Sequence, residues 1–306
     1  MRSKEILKKG IVGDLAVGFE LEIEVNDRVG LFHTLIDTYI NSGYSFVHLL
    51  VAMELSSIEP TMKYIAKLRA LISKSDKCIL AHSTQDIENA KKHNKLAILL
   101  GFQGTGPLAC ELTMLEMYKQ LGITRMIVAY NIRTPMGDGC SEKHDAGLSL
   151  LGTQLIHEMN RIGVMVDCSH TGYKTSMDIM QLSLKPVVFS HSNIFSEKNP
   201  SRNLHDEQIK ACAKTGGLIG INGIGLLLGG KPTADRYANM IDKMVQLTSS
   251  KHVSIGSDYL IYPPESLVGF HNNQKSIYPG DYLKNMTSHE DWKSISPTEM
   301  LPVIDN

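Results

Sequence analysis

The chain alternates short apolar, β-branched runs with amphipathic helical patterns along most of its 306 residues. This alternation predicts parallel strands joined by helical crossovers, and eight such units are the number that closes a (β/α)8 barrel. Strands are predicted at 11–18, 44–51, 96–102, 125–130, 164–168, 187–190, 218–222 and 253–257. Helices are predicted near 28–42, 60–74, 84–94, 108–121, 147–161, 174–183, 206–215 and 233–248. One further run, Cys78 to Ala81, is interpreted as an irregular or peripheral piece.

The fold class is therefore α/β, a TIM barrel that occupies residues 1–306 as a single domain. No repeat, low-complexity tract or linker divides the chain, and a hydrophobic content of 42% is enough to bury a large core. Residues 259–296 are rich in Tyr, Pro, Asn, Gly and Ser, which predicts a long loop after the last strand. The pattern at 297–306 reads as the first turns of a final helix, so the C-terminal helix is expected to be truncated.

Composition argues against several classes of partner. The formal net charge of −1 gives no electrostatic reason to bind nucleic acid or an anionic membrane. No stretch reaches the ~18 consecutive apolar residues of a membrane span, and no apolar signal core follows the basic start. The five cysteines lack C-x-x-C spacing, which is typical of reduced thiols. These features predict a cytoplasmic protein.

Three apolar runs end abruptly in an ionisable side chain, and they indicate where chemistry could occur. They read Val166-Asp167-Cys168-Ser169-His170, Val187-Val188-Phe189-Ser190-His191 and Ser254-Ile255-Gly256-Ser257-Asp258. In a parallel barrel the carboxyl ends of the strands share one rim, and barrel enzymes hold their active sites there. Two imidazoles and a carboxylate are therefore expected on the same rim.

Each of these side chains has a chemical and a structural interpretation. His170 and His191 could bind zinc or a similar ion at ~2.0–2.1 Å, or they could be core-edge histidines bonded to the backbone. Asp258 could bind a metal or take a proton from water, or it could cap the next segment. Arg202 follows the sixth strand, and its planar guanidinium suits a carboxylate, although a solvated surface arginine is the alternative.

The order and spacing of these segments resemble the renal (membrane) dipeptidase family, peptidase family M19. The resemblance runs from about residue 96 to 258 and rests on several motifs of five or more residues. The motifs are Gly147-Leu148-Ser149, Glu158-Met159-Asn160-Arg161-Ile162-Gly163, the two Ser-His strands, Pro186, Arg202-Asn203, Asp206-Glu207 and Ile255-Gly256-Ser257-Asp258. Enzymes of this family are zinc dipeptidases on a (β/α)8 barrel of the amidohydrolase type.

The resemblance implies a role for four of these residues. His170 and His191 match two histidines that hold the second of two metal ions. Arg202 matches an arginine that binds substrate, and Asp258 matches the aspartate on the eighth strand that is assigned to proton handling.

The resemblance also extends to a rim loop that contains Asn131, Thr134-Pro135 and Asp138. The family places a substrate-facing histidine one residue before this asparagine, and here Tyr130 takes its place. Asn131 and Asp138 are therefore expected to bind substrate, and Tyr130 is expected to donate a hydrogen bond to an oxyanion.

The chain departs from the family at the first metal ion. The first strand of the family carries His-x-Asp, but residues 12–18 contain no histidine, and Gln103 replaces the glutamate that bridges the two metals. Asp258 is then the one carboxylate expected nearby, so two divalent cations would repel by several kcal/mol. We expect one zinc ion or none, held by His170, His191 and either the Gln103 amide or Asp258.

The sequence thus predicts a metal-dependent hydrolase for a dipeptide or similar small amide. The alternative is a barrel that has lost metal catalysis and acts as a small-ligand binding or regulatory protein. A metal-independent lyase or isomerase that uses Tyr130 and Asp258 is a third interpretation. Members of the family are often dimeric, so a homodimer is possible.

Overall fold

The computed structural model describes residues 5, 7, 9–19, 28–197, 200–261 and 293–300. Its strands are β1 (Gly13–Gly18), β2 (Phe46–Met53), β3 (Cys78–Leu80), β4 (Leu96–Gln103), β5 (Ile123–Ile127), β6 (Met165–Asp167), β7 (Val188–Phe189), β8 (Leu218–Ile221), β9 (Val253–Ile255) and β10 (Tyr259–Leu260). Its helices are α1 (Arg28–Asn41), α2 (Ile58–Lys74), α3 (Thr84–Lys92), α4 (Met114–Gln120), α5 (Leu150–Ile162), α6 (Tyr173–Leu182), α7 (Asp206–Lys214), α8 (Gly225–Leu228), α9 (Ala234–Leu247) and α10 (Pro297–Met300). Short 3-10 turns lie at Gly106–Leu108 and Ser250–His252.

Eight parallel strands close into a barrel, as the sequence predicts. They are hydrogen-bonded in the order β1, β2, β4, β5, β6, β7, β8, β9, and β9 pairs again with β1. β3 pairs with β4 outside this ring, which confirms its peripheral position. β10 also pairs with β1, so the eighth strand resumes after an interruption at residues 256–258.

The main apolar core lies between the barrel and its surrounding helices. Alternate residues of each strand face outward into this core, for example Val166 and Cys168 around β6, whereas Asp167 faces the barrel interior. Helices contribute one apolar side each, such as Leu155, Ile156 and Met159 of α5. Each fully buried aliphatic side chain contributes ~1.5–3 kcal/mol, so this layer supplies most of the stability.

Two predicted boundaries shift, each for a local reason. The helix predicted at 108–121 begins only at Met114, because Ala109 and Cys110 adopt φ values of 49° and 63° that a right-handed helix cannot contain. The loop predicted at 259–296 begins with β10, while residues 262–292 lie outside the described part of the chain. The last helical turn is present at Pro297–Met300, and 301–306 are not described.

Glycines allow three neighbouring strand ends to approach closely. A Cβ atom on Gly220 of β8 would lie 2.0 Å from the carbonyl oxygen of Ser190, and one on Gly256 would lie 1.9 Å from the same atom. A side chain at either position would push β8 or β9 away from the end of β7. These glycines therefore help to set the position of the segment that carries His191.

A buried carboxylate links the first and last strands of the barrel. Oδ1 of Asp14 accepts hydrogen bonds from the N–H groups of Ser257 (2.9 Å) and Ala16 (3.2 Å). Its Oδ2 accepts from the hydroxyls of Ser257 and, at 3.0 Å, Tyr39 of α1. Burial raises the pKa of Asp14 from 3.8 to about 6, and the hydrogen bonds limit that rise.

The raised pKa predicts a pH-dependent stability that Asp14→Asn should remove. The folded chain keeps a proton on Asp14 that the unfolded chain has released, so this contribution is fully present below pH ~3.9 and is lost as pH rises through about 6. Asparagine keeps the Oδ1 acceptor, and its amide can donate to the two hydroxyls. The free energy of unfolding of the wild type, relative to Asp14→Asn, should fall by about 2 kcal/mol between pH 4 and 7. Urea unfolding at several pH values measures this, and parallel curves would contradict it.

Candidate active site

His170 and His191 face each other at the carboxyl ends of β6 and β7. Their Nε2 atoms are 2.9 Å apart, and the side chains are 6% and 0% exposed. The predicted convergence of the two imidazoles is confirmed. The two rings contact one another directly, and neither bonds a main-chain carbonyl among the described residues.

The outer nitrogens of the two rings are held by side chains. Nδ1 of His170 lies 2.7 Å from Oδ1 of Asn131, and Nδ1 of His191 lies 2.7 Å from the hydroxyl of Ser190. An amide oxygen only accepts, so His170 carries its proton on Nδ1 and directs the lone pair of Nε2 inward. The Nε2 atom of His170 therefore accepts from Nε2–H of His191, and Nδ1 of His191 accepts from the serine hydroxyl.

The two imidazoles are the groups that could hold a divalent ion, because neutral imidazole nitrogens are common ligands for zinc and these two lie 2.9 Å apart. If His191 carries its proton on Nδ1, both Nε2 lone pairs face the same point, and binding requires a change of tautomer rather than loss of a proton. Burial lowers the pKa of both rings well below the usual value, and the positive charge of Arg202 lowers it further. Both imidazoles are therefore neutral, as metal ligands must be.

A third protein ligand is not evident. No group of three or more His, Cys, Asp or Glu residues with metal-binding geometry occurs in the described ranges. Gln103 is buried at the end of β4, but within those ranges its side chain makes no hydrogen bond to either histidine. Its role as a ligand remains a prediction, and the two imidazoles are the ligands whose geometry fits an ion.

The predicted oxyanion donor, Tyr130, packs flat against His170. The ring centroids are 3.8 Å apart and the planes differ by 22°. Glu54 follows β2, and its carboxylate accepts hydrogen bonds from two backbone N–H groups, that of Tyr130 and, at 3.0 Å, that of Thr105. Burial raises the pKa of Glu54. This carboxylate, which sequence reasoning missed, fixes the segment on which Tyr130 lies.

Asn131 has its amide oxygen committed to His170 rather than directed at a substrate. The Cys140 thiol donates to the same oxygen at 3.4 Å. The Nδ2 atom of Asn131 is buried and has no hydrogen-bond partner within the described ranges. Asn131 thus orients the ring of His170 and retains an unused donor.

Three predicted site residues have strained backbones. Asn131, His170 and Asp258 have φ values of 60°, 65° and 55°. Side chains other than glycine rarely adopt this left-handed conformation, which costs about 1–3 kcal/mol per residue and is concentrated at functional sites. The surrounding hydrogen bonds hold each residue in a conformation that its local sequence does not favour.

Asp258 lies at the interruption of the eighth strand. Its backbone N–H donates to the carbonyl of Ala16 at 2.9 Å, and its Oδ2 accepts from Nδ2 of Asn222 at 3.1 Å. Burial raises the pKa of this half-buried carboxyl, while the charge of Arg202 and the Asn222 hydrogen bond oppose the rise. A carboxyl with a raised pKa beside an arginine suits proton transfer.

Arg202 is 2% exposed and is not a solvated surface arginine. Its Nη1 donates to Ser192 Oγ at 2.8 Å, and its Nη2 donates to the carbonyl of His191 at 2.6 Å. The guanidinium is therefore attached to the backbone of one of the two candidate metal ligands. Its Nε atom is buried and has no partner among the residues that the structure describes. One edge of the guanidinium therefore keeps donors for a ligand.

A cavity of about 240 Å³ opens beside His170 and Arg202. Its lining includes His170, Arg202, Cys140, Tyr173, Phe195 and His205. The ring of His205 lies 4.2 Å from Phe195 and 5.5 Å from Tyr173 between centroids, which gives the cavity an aromatic side. Ligand pockets usually exceed ~300 Å³, so this one fits a small ligand.

Asp138 is occupied by its own loop. Its carboxylate pairs with Arg133 at 2.6 Å and accepts from the N–H of Ala146 at 2.6 Å. Burial alone would raise the pKa of Asp138, but these contacts hold it below its usual value. Asp138 is not among the residues that line this cavity, and its contact with substrate stays a prediction.

The expectation that Asp258 is the one nearby carboxylate is wrong. Asp167 is 0% exposed and pairs with the buried Arg125 of β5. Its Oδ1 accepts from the N–H groups of Ser169 (2.9 Å) and Ser190 (3.1 Å), the residues that precede the two histidines. Only the alternation within β6, which turns Asp167 inward, could have indicated this ion pair.

The sequence profile of one family, described as Membrane dipeptidase (Peptidase family M19), matches residues 29–274. The chain belongs to peptidase family M19. Relatives in this family include an uncharacterised dipeptidase of Schizosaccharomyces pombe, 29% identical over 213 residues, or 66% of this chain and 51% of the relative. The dipeptidase tcpJ of Claviceps purpurea is 28% identical over 214 residues, 68% of this chain and 50% of the relative. The chain spans about half the length of the curated relatives it matches.

Solved structures share the barrel fold of this chain. An amidohydrolase from Pseudomonas aeruginosa is 30% identical with a TM-score of 0.78, covering 86% of this chain and 79% of that one. A metallo peptidase from Rhodobacter sphaeroides, liganded with a phosphinate mimic of the dipeptide L-Ala-D-Ala, has a TM-score of 0.70 over 92% of this chain and 99% of that one. Its identity is 16%, so this likeness shows the fold alone. No helix in the described part of this M19 chain has the length and apolarity to cross a bilayer.

The geometry of the histidine pair predicts at most one tightly bound zinc ion per chain. His191→Ala and His170→Ala should each lose it, because one imidazole alone is a weak ligand, whereas His93→Ala, at an exposed helix end, should keep it. Metal analysis after saturation with zinc and removal of excess measures this. Two tightly bound ions in the wild type, or full metal content in His191→Ala, would contradict the prediction.

Proposed function

We propose that this protein is a metal-dependent hydrolase that cleaves the amide bond of a dipeptide or a similar small amide. The observation that carries the proposal is the 2.9 Å approach of two neutral imidazole nitrogens beside a buried arginine with an unused donor. Membership of a dipeptidase family agrees with it.

Each polar group of the site has a place in this reaction. A divalent ion held by His170 and His191 would polarise the scissile carbonyl and lower the pKa of a water molecule. The free edge of Arg202 binds a substrate carboxylate in the cavity. Asp258 takes a proton from the attacking water and transfers it to the leaving nitrogen as the C–N bond breaks. Tyr130 donates to the oxygen that gains negative charge.

A dipeptide hydrolysis assay with added zinc tests the proposal. His191→Ala should lower kcat/KM by about 100-fold or more, because the substrate carbonyl and the water lose their activating ion. His93→Ala serves as the matched control and should keep the wild-type rate. Equal rates for the wild type and His191→Ala would refute the hydrolase.

The role of Arg202 has its own test. Arg202→Met should raise KM for dipeptides by about 10- to 100-fold, since a charge-assisted hydrogen bond to the carboxylate is lost. The same dipeptides with a C-terminal amide lack that carboxylate and should be much less affected. An equal loss for acids and amides would assign Arg202 a purely structural role at His191 and Ser192.

The unused donors favour a second candidate, a binding protein for a small carboxylate. Buried nitrogens of Arg202, Asn131 and Arg125 lack partners, and a third metal ligand is missing among the described residues. Thermal shift separates the two candidates, because a bound ligand stabilises the folded state. Stabilisation by zinc supports the hydrolase, whereas stabilisation by dipeptides alone supports the binding protein.

We also propose that the protein works in the cytoplasm. All five cysteines are free thiols, and three of them are buried. Reduced thiols of this kind persist in a reducing compartment.

A further inference from the structure

The cavity beside Arg202 has an aromatic side that the proposed reaction does not use. Three of its lining residues, Tyr173, Phe195 and His205, form this side and are called the aromatic wall. The ring of His205 contacts both others, at 4.2 Å from Phe195 with the planes 31° apart and at 5.5 Å from Tyr173 edge to face. Tyr173 is 45% exposed, and the other two residues are half-buried. The wall therefore keeps ring surface that a ligand can cover.

Backbone hydrogen bonds hold the aromatic wall in place relative to Arg202. The N–H of Phe195 donates to the carbonyl of Leu204 at 2.8 Å, and the N–H of Leu204 donates to the carbonyl of Asn193 at 2.8 Å. His205 follows Leu204 directly, and Arg202 lies three residues before His205. Two rings and the guanidinium thus lie on two segments that are bonded to each other, so a ligand binds them with little ordering cost.

Polar side chains of the lining are committed to bonds within the protein. Both carboxylate oxygens of Asp145 accept hydrogen bonds, Oδ2 from the N–H of Lys174 at 2.5 Å and Oδ1 from the hydroxyl of Thr175 at 2.8 Å. The amide of Gln208 accepts from the N–H of His205 at 2.9 Å and donates to a hydroxyl of α6 at 2.8 Å. A side chain that enters the cavity therefore meets ring surface in preference to free polar groups.

The cavity is large enough for one aromatic ring beside a carboxylate. Its volume is about 240 Å³, and an apolar cavity of ~150 Å³ accommodates a benzene molecule. In an amino acid, the carboxylate and the side chain leave the same carbon atom. A carboxylate bound to Arg202 therefore places the side chain of that residue in the cavity that the aromatic wall lines.

We propose that the aromatic wall selects substrates in which the residue with the free carboxylate has an aromatic side chain. This inference rests on the proposed binding of that carboxylate by Arg202, and it names the substrate class. Stacked and edge-to-face contacts with Tyr173, Phe195 and His205 favour an aromatic ring over the methyl group of alanine by about tenfold. The three residues set specificity and take no part in the chemical step.

Calorimetric titration of the full-length protein with free amino acids tests the inference. These ligands contain no amide bond to cleave, so binding is measured apart from catalysis. L-phenylalanine should bind about tenfold more tightly than L-alanine. L-phenylalaninamide lacks the carboxylate and should bind much more weakly than L-phenylalanine. Equal affinity for L-phenylalanine and L-alanine, or no binding of L-phenylalanine, overturns the inference.

L-glutamate tests the other charged group of the lining. Lys143 lies at the exposed rim of the cavity, where solvent and salt screen its ammonium group. L-glutamate should therefore bind no more tightly than L-alanine. Tighter binding of L-glutamate than of L-phenylalanine would show that charge rather than ring contact selects the side chain, and would overturn the inference.

Variants of Tyr173 assign the preference to the wall. Tyr173→Ala should weaken binding of L-phenylalanine by about three- to tenfold and leave binding of L-alanine unchanged, whereas the matched control Tyr173→Phe keeps the ring and the preference. Circular dichroism establishes that each variant is folded. If Tyr173→Ala does not fold, Phe195→Leu carries the same test. A purely structural role would weaken both amino acids equally, and that outcome overturns the inference.

Dipeptide hydrolysis with added zinc separates this inference from the proposed function. The substrates are glycyl-L-phenylalanine and glycyl-L-alanine. Preferential binding of L-phenylalanine without hydrolysis of either dipeptide overturns the hydrolase and supports the aromatic wall. Hydrolysis of both dipeptides with equal kcat/KM, together with equal affinity for the two amino acids, overturns the aromatic wall alone.

Discussion

The carboxylate of Asp167 is the contact on which the site geometry depends. One oxygen accepts from the backbone at the ends of both β6 and β7, and the other pairs with Arg125. Because the histidines follow those backbone contacts directly, this carboxylate sets how closely the two strand ends approach. Loss of one partner of a buried ion pair typically costs 3–5 kcal/mol, so the arrangement is strongly maintained.

The electrostatics of the site follow from where its two guanidiniums lie. Arg125 pairs with Asp167, and Arg202 contacts the carbonyl of His191. Both positive charges favour neutral imidazoles. Neutral imidazoles are ready to bind a metal, yet the same positive field opposes the arrival of a cation. It also favours an anionic ligand, and the buried nitrogens without partners could bind its oxygens. In the proposed reaction the site combines a single cation with a carboxylate.

Sequence periodicity predicted the barrel because each strand and helix has a local signature. The eight strands and their helices occur where apolar runs alternate with helical patterns, and Gly163 ends α5 in the left-handed conformation that this position requires. The errors lie where local signals are weak. Residues 108–113 carry a helical composition, but two positive φ angles interrupt it. Tyr259–Leu260 lie in a polar stretch, yet they complete the ladder with β1.

The sequence by itself determined which side chains reach the rim, because a Ser-His pair at the end of a buried strand can face only one way in a parallel barrel. The tertiary structure decided which of these side chains are already bound to other residues and which are not. Asp138 is taken up by Arg133, Asn131 by His170, and Asp167 by Arg125, which lies 42 residues away along the chain. Such partners are set by strand register and loop packing, which bring together residues that share no local pattern. For that reason the histidine pair was predictable, whereas the charge that surrounds it was not.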